Sequence, residues 1–267
     1  MDFTLLIGII VGFGSIIGGF LLEDGVLKSL MLESPALIVF GGTIGAVISS
    51  YPLADIVKAF KALAYTFSKK SKGDPQAVIT AITEISDKCR RSGLLALEEE
   101  MKKPEFDHKD YLFLKEGLIL VLEGRSEEEI TYVLESGIRA FSLQKQMEIA
   151  VFESAGGFSP TMGVLGTVMG LVTVLSDMSD AASLAKSIAT AFVATLYGVG
   201  VANLIWLPIA TKLKTDFKRQ KLQKEMMLDG VCMILKGEAS RNIQNKLALY
   251  WQAFPGGDAK YKEGIEN

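Results

Sequence analysis

A chain of 267 residues that is 49% hydrophobic, with a mean hydropathy of +0.31, is too apolar for an ordinary soluble domain; at 22% charged residues it is too polar to lie wholly in a membrane. A net charge of −3 offers no basic face for nucleic acid. Two cysteines, Cys89 and Cys232, and one histidine, His108, argue against a disulfide framework or a Cys/His metal site, so these three read as packing or surface residues and no cofactor is expected.

The chain opens on "MDFTLLIGIIVGFGSIIGGFLLEDG", which lacks the basic start and clear cleavage site of a removable signal and so reads as a retained first span. A helix crossing the roughly 30 Å hydrocarbon layer needs about 20 mainly apolar residues. Four windows qualify: Phe3 to Leu22, Pro35 to Leu53, Phe152 to Leu175 and Ile188 to Ala210. Lys58, Lys61, Lys69, Lys70 and Lys72 follow the second span, and Lys212, Lys214, Lys218, Arg219, Lys221 and Lys224 follow the fourth. Positive residues are retained on the inside, so both regions and both termini are expected in the cytoplasm.

Nearly a hundred residues separate spans two and three, too many for a loop without structure of its own. Asp74 reads as an N-cap with Pro75 at the first helical position; Val78, Ile82, Ile85 and Cys89 then share a face, and Gly93 stops the helix. The run "YLFLKEGLILVL", residues 111 to 122, is short for a span and interrupted by Lys115 and Glu116, and reads as a buried helix. Ser126 and Glu129 have capping-box spacing and open a helix expected to bury Ile130, Val133, Leu134, Ile138 and Phe141. No breaker intervenes before "MEIAVFE", so that helix is expected to continue into the third span. After Met233 the pattern is mixed, and "FPGGDAKYKEGIEN" reads as disordered.

The fold class is therefore an all-α integral membrane protein with four transmembrane helices and a helical cytoplasmic domain inserted between spans 2 and 3. Spans one and two occupy residues 1–53, the inserted domain 54–150, spans three and four 151–210, and a cytoplasmic C-terminal helix with a flexible tail 211–267.

Helices in lipid associate largely through close packing of small residues. Gly163, Gly166 and Gly170 form one stripe along the third span; Ala191, Thr195, Gly198 and Ala202, at i, i+4, i+7 and i+11, form another along the fourth. Ordinary packing within one bundle would account for such stripes taken alone. Pro160 and Pro208 each remove a backbone hydrogen bond, which at membrane depth is tolerated where protein or water meets the freed carbonyl. An ion path usually carries an Asp, Glu or His inside the membrane, yet the four cores contain none. Their polar groups are hydroxyls and one amide, including Thr161, Thr167, Thr173, Thr190, Thr195, Tyr197 and Asn203, none of which titrates usefully at neutral pH. If the chain serves ion flow, a partner helix must bring the carboxylate.

Three passages carry a resemblance. "RRSGLLALEEEMKKPEF", "FSPTMGVLGTVMGLV" and "AFVATLYGVGVANLIWLPIATKL", set in this architecture, resemble the MotA/PomA family, the larger subunit of the bacterial flagellar stator, over about residues 1 to 250. The resemblance implies that Arg90 and Glu98, with Arg91 beside them, lie on a torque-transmitting surface facing the rotor switch protein FliG. It puts Pro160 and Pro208 at the family's functional prolines, and Thr167 and Thr195 beside the ion path. It implies no enzymatic activity, residence in the bacterial inner membrane among its lipids, and a pentamer around a dimer of a MotB-like partner whose single membrane aspartate carries the ion. The pair Thr167 and Thr195 resembles the sodium-type members, but threonine there is also compatible with proton use; the proton is the expected ion and sodium the alternative.

Plainer readings stand beside these. The run Arg90, Arg91 and Glu98 to Glu100 has the look of a solvated helix face, and threonines in helices often bond back to their own carbonyls. An ExbB/TolQ-like energiser is a second possibility, although its usual three-span plan fits four spans poorly. An enzyme would need a His/Asp/Glu cluster, a phosphate loop or a nucleophile motif, and none is present. A scaffold would account for the small-residue stripes but gives no reason for the prolines and threonines.

Overall fold

The structure, a computed structural model, describes residues 4–66, 74–176 and 181–254, and of 176, 181–183 and 186 the backbone alone. Lys69, Lys70 and Lys72, part of the connection between spans three and four, and the tail expected to be flexible lie outside the described residues. Every element among the described residues is helical. Four helices are long and apolar enough to cross a membrane: Thr4–Leu22, Glu33–Ser50, Glu127–Leu175 and Ser187–Leu235. The chain divides into two compact units, Met1–Ser71 with Lys145–Thr215, and Lys72–Gln144 with Asp216–Asn267.

In the first unit, α1 (Thr4–Leu22) buries no residue and is apolar around its whole circumference, the pattern of a helix solvated by lipid. The second span is composite: α2 (Glu33–Ala36), a wide π turn (Leu37–Gly41) and α3 (Gly42–Ser50). It stops at Ser50 instead of the expected Leu53. Tyr51 is extended at φ −132°, ψ 144° because Pro52 disfavours a helical residue before it. The Tyr51 hydroxyl donates to the Ala150 carbonyl (3.0 Å) and shares a hydrogen with Ser154 Oγ (2.7 Å). A further helix, α4 (Leu53–Thr66), follows, and Phe60 meets Phe152 edge to face with ring centroids 5.3 Å apart.

The second unit begins as the local signals specify. In α5 (Pro75–Ser92) the Gln76 N–H donates to Asp74 Oδ1 at 3.0 Å, Val78, Ile82 and Ile85 are buried, and Gly93 at φ 79° ends the helix in a conformation only glycine takes without strain. The short α6 (Ala96–Met101) and a 3₁₀ turn (Pro104–Asp107) lead to α7 (Leu112–Leu122), whose Phe113, Leu114, Leu118 and Val121 face the core. α8 (Glu127–Ser176) opens with the capping box formed: Glu129 N–H donates to Ser126 Oγ and Ser126 N–H to Glu129 Oε2, each at 3.2 Å. It then runs unbroken for 50 residues, contributing to both units.

One expectation about its inner face fails. Ile130, Leu134 and Ile138 are buried and Phe141 is half-buried, but Val133 is 48% exposed. At 100° per residue Val133 stands roughly 95° from the centre of that stripe, on its solvent side.

In the first unit, α9 (Ala181–Val201) is followed by a second π turn (Ala202–Trp206) and then α10 (Leu207–Leu235), most of which belongs to the second unit. There Met226, Met227, Val231 and Ile234 complete the core. The mixed region after Met233 holds a helix of its own, α11 (Ser240–Trp251), which packs on α5 and fully buries Ile243 and Leu247. Each such side chain removed from water contributes about 1.5–3 kcal/mol, so α11 is part of the core.

Candidate functional site

The residues singled out by sequence fall into two groups, one in each unit.

In the first unit the two small-residue stripes meet. A Cβ built on Gly198 would stand 2.6 Å from the Ser159 carbonyl oxygen and 3.0 Å from Gly163 Cα; one built on Gly163 would stand 2.9 Å from the Ala194 carbonyl oxygen. Backbone therefore touches backbone, and only glycine fits. Further along, Gly166 faces Ala194 and Gly170 faces Ala191, at 2.7 and 3.0 Å from the built Cβ to each alanine Cβ. Ala202, fully buried, begins the π turn.

The close approach brings Thr167 and Thr195 together. Their hydroxyl oxygens are 2.5 Å apart, and Thr167 Oγ1 also lies 2.9 Å from the Ala191 carbonyl and 3.1 Å from that of Gly163. This is a knot of oxygen atoms without a formal charge. Two hydroxyls this close share a hydrogen, and the nearby carbonyls draw the pair into one cluster. Beside it, a cavity of about 260 Å³ is lined by Ser34, Ile38, Gly166, Thr173, Thr190 and Ala194, among others. The Ser159 and Thr43 hydroxyls are buried without a hydrogen-bond partner among the described residues.

Other polar groups of the spans have local uses. Thr161, Thr173 and Asn203 bond back to the carbonyls of Phe158, Met169 and Val199 in their own helices. The Tyr197 hydroxyl donates to the Leu30 carbonyl and accepts from the Leu32 N–H at 3.4 Å, fastening the connection between the first two spans to α9.

Pro160 lies inside α8, where it leaves the Gly156 carbonyl without its usual donor. Gly156 is itself a contact point, since its built Cβ would meet Leu207 Cδ2 at 2.5 Å. Pro208 stands one residue past Leu207, directly after the π turn. A proline clashes with the carbonyl four residues back and cannot donate to it, and the wide turn relieves both problems by loosening the helix ahead of it. The two prolines thus mark the same crossing of α8 with the start of α10.

In the second unit, Arg90 and Arg91 end α5, where positive charge faces the negative end of the helix dipole, and Glu98 and Glu99 lie in the first turn of α6. All four are exposed and form no ion pair among the described residues. Glu100 departs from the expected solvated run. It is buried, and its carboxylate binds Lys88 Nζ at 2.5 Å and Lys103 Nζ at 2.6 Å, tying α5 to α6. Burial works against its ionised form, but the two lysine hydrogen bonds outweigh that and hold the carboxyl below its ordinary range. The i, i+3 spacing of Glu100 and Lys103 was a readable signal; the longer reach from Lys88 was not.

A carboxyl held low contributes stability that is present above its unfolded value and lost as pH falls through the folded one. Glu100→Gln is expected to destabilise the protein at pH 7 by about 1–2 kcal/mol, allowing for water around the half-exposed lysines. Thermal unfolding in detergent checks this: the deficit should shrink as pH falls below about 4. A deficit independent of pH would show that the ion pairs are not its source.

Burial pushes both the Cys89 and Cys232 thiols up, and His108 is exposed beside Asp110. No group of three metal-ligating side chains occurs among the described residues.

Residues 6–93 match the family model described as motility protein A N-terminal, and residues 105–226 match that of the MotA/TolQ/ExbB proton channel family. Motility protein A of Bacillus subtilis is 35% identical over 253 residues, covering 95% of this chain and 92% of that one. The chain belongs to the motility protein A family. Within the family, chemotaxis protein PomA of Vibrio alginolyticus is 31% identical over 250 residues, covering 94% of this chain and 95% of that one. The fold is similar to that in the flagellar MotAB stator complex from Bacillus subtilis, with a TM-score of 0.85 at 35% identity over 97% of this chain and 98% of that one. It is also similar to that in C. jejuni MotAB, with a TM-score of 0.86 at 27% identity over 94% and 96%. Members of this family are channel-forming membrane subunits and not enzymes.

Proposed function

We propose that this chain is the larger subunit of a flagellar stator, which with a MotB-like partner conducts ions and converts their downhill passage into torque on the flagellar rotor. The observation that carries the reading is the crossing of α8 and α9: two helices in backbone contact at Gly163 and Gly198 hold a threonine pair, while the span cores, with Glu33 and Glu153 only at their ends, bring no carboxylate of their own. Such a site is half of an ion path, and a partner helix with an aspartate completes it. Several copies, five around a partner dimer by family resemblance, would enclose that helix.

Both termini and the unit holding Arg90 and Glu98 lie on the cytoplasmic side of the inner membrane in this reading, which the lysines after the second and fourth spans support. From there Arg90, Arg91 and Glu98 engage the switch protein FliG, and the apolar helices stand among the membrane lipids. The transported ion is the proton. A sodium-driven cycle is the second reading, favoured by the threonine pair and by the similarity to PomA.

Deleting the gene in its host is expected to leave cells with intact filaments that do not swim, restored by the wild-type gene. Cells that still assemble filaments and swim, in a host with no second stator, would overturn the assignment. Swimming speed at fixed pH is expected to be independent of sodium; speed that follows sodium would replace the proton.

A further inference from the structure

The turn between α5 and α6 puts two leucines where water reaches them. Leu95 is 77% exposed and Leu94 40%, while Leu97, two residues on, is fully buried. The apolar pair sits between two poles of free charge, Arg90 and Arg91 before it and Glu98 and Glu99 after it. Beside Leu95 opens a groove of about 480 Å³, lined by Lys88, Ser92, Leu95, Ala96, Glu99 and Glu100. The turn is built in advance: Gly93 holds φ 79°, Leu97 anchors α6 in the core, and Glu100 bridges Lys88 on α5 and Lys103.

We infer that Leu94 and Leu95 form the apolar centre of a docking surface for a helix of the rotor protein. That helix has acids opposite Arg90 and Arg91, an apolar anchor side chain seated against Leu95 in the groove, and bases opposite Glu98 and Glu99. The inference rests on the proposed rotor contact and deepens it. Exposed charges act over about 8 Å at physiological salt, so they steer and orient the partner. Holding it through a power stroke asks for contacts that exclude water, and an apolar centre ringed by charge is the usual anatomy of such a contact. The order of base, apolar and acid along this surface fixes the complementary order on the partner and so its direction. A contact of two leucines is small enough to be released at every step.

The test uses whole motors in cells, with a bead on the filament to read torque and membrane blots to read stator amount. Leu95→Ser, and the double variant Leu94→Ser with Leu95→Ser, are expected to lower stall torque at least about fourfold, since one buried methylene alone is worth about that factor and leucine to serine removes three carbons. Stator amount and ion flux should be unchanged. Methionine at both positions, which keeps the apolar character, should restore torque. Full torque in the Leu95→Ser motor, in cells where Arg90→Glu with Glu98→Lys abolishes torque, would overturn the inference and leave the rotor contact standing. Full torque in both would overturn the rotor contact itself. Torque lost in the serine motors and not recovered by methionine would also overturn the inference.

Discussion

Gly198→Ala is expected to abolish swimming, whereas Gly200→Ala, two residues along the same helix, should swim normally. Alanine adds the same single methyl at both places and raises helix propensity by about 1 kcal/mol at both. Their surroundings differ. Nothing lies within 4 Å of a Cβ on Gly200, while one on Gly198 would meet the Ser159 carbonyl oxygen at 2.6 Å and the Gly163 backbone at 3.0 and 3.2 Å. Those are main-chain atoms in a helix, with no rotamer to move into, so α8 and α9 must separate. Overpacking of this kind costs about 1–3 kcal/mol, enough to outweigh the gain in propensity. Separation also pulls on the Thr167–Thr195 hydrogen bond at 2.5 Å, which exists only because the backbones touch one turn away. Swim-plate diameter, normalised to stator amount in the membrane, reads the effect. Equal swimming by the two variants would mean that α8 and α9 do not cross at Gly163 and Gly198.

How far such features were legible depends on whether the cause is local. Helix caps are written in neighbouring residues, so Asp74, Gly93 and the Ser126–Glu129 box all form as their spacing specifies. Span length and apolarity are also local, and four helices long and apolar enough to cross a membrane follow. The two small-residue stripes were visible as patterns, but their register, Gly163 on Gly198, is a property of two surfaces and no single helix contains it. The second helix of the C-terminal region shows the same limit: Ile243 and Leu247 look like isolated apolar residues in a mixed tail until α5 supplies the surface they cover. Glu100 sits among exposed glutamates, and its link to Lys88, twelve residues away, leaves no local trace. Tyr197 reads as one more hydroxyl of the fourth span, yet it serves the connection between the first two spans because that loop brings the Leu30 carbonyl to it. The π turns leave the least trace, since a change of helical register costs no change in composition; only Pro208 hints at the one before it.

That turn gives the second large effect. Pro208→Ala is expected to leave the protein folded and present in the membrane at normal amount while lowering torque sharply. With alanine at 208 the N–H returns and can donate to the Leu204 carbonyl, and the ring that crowds this carbonyl is gone. A regular α-helix through 202–208 then competes with the π turn, gaining a hydrogen bond worth about 1 kcal/mol, roughly a fivefold shift between the two forms. The change lands at the crossing with α8, where Leu207 and Trp206 lie against Gly156, the residue whose carbonyl Pro160 leaves free. Both helices therefore have an unsatisfied or loosened turn at one contact, a place where each can bend without breaking a full set of hydrogen bonds. If ion binding drives the ring by bending these helices, straightening one of them locks the crossing. Pro160→Ala should act in the same direction, and the two substitutions together should be less than additive because they meet at one contact. Torque against load, measured beside stator amount, separates this from failed assembly. Normal torque at every load in both single variants would reduce the prolines to kinks that the fold merely tolerates.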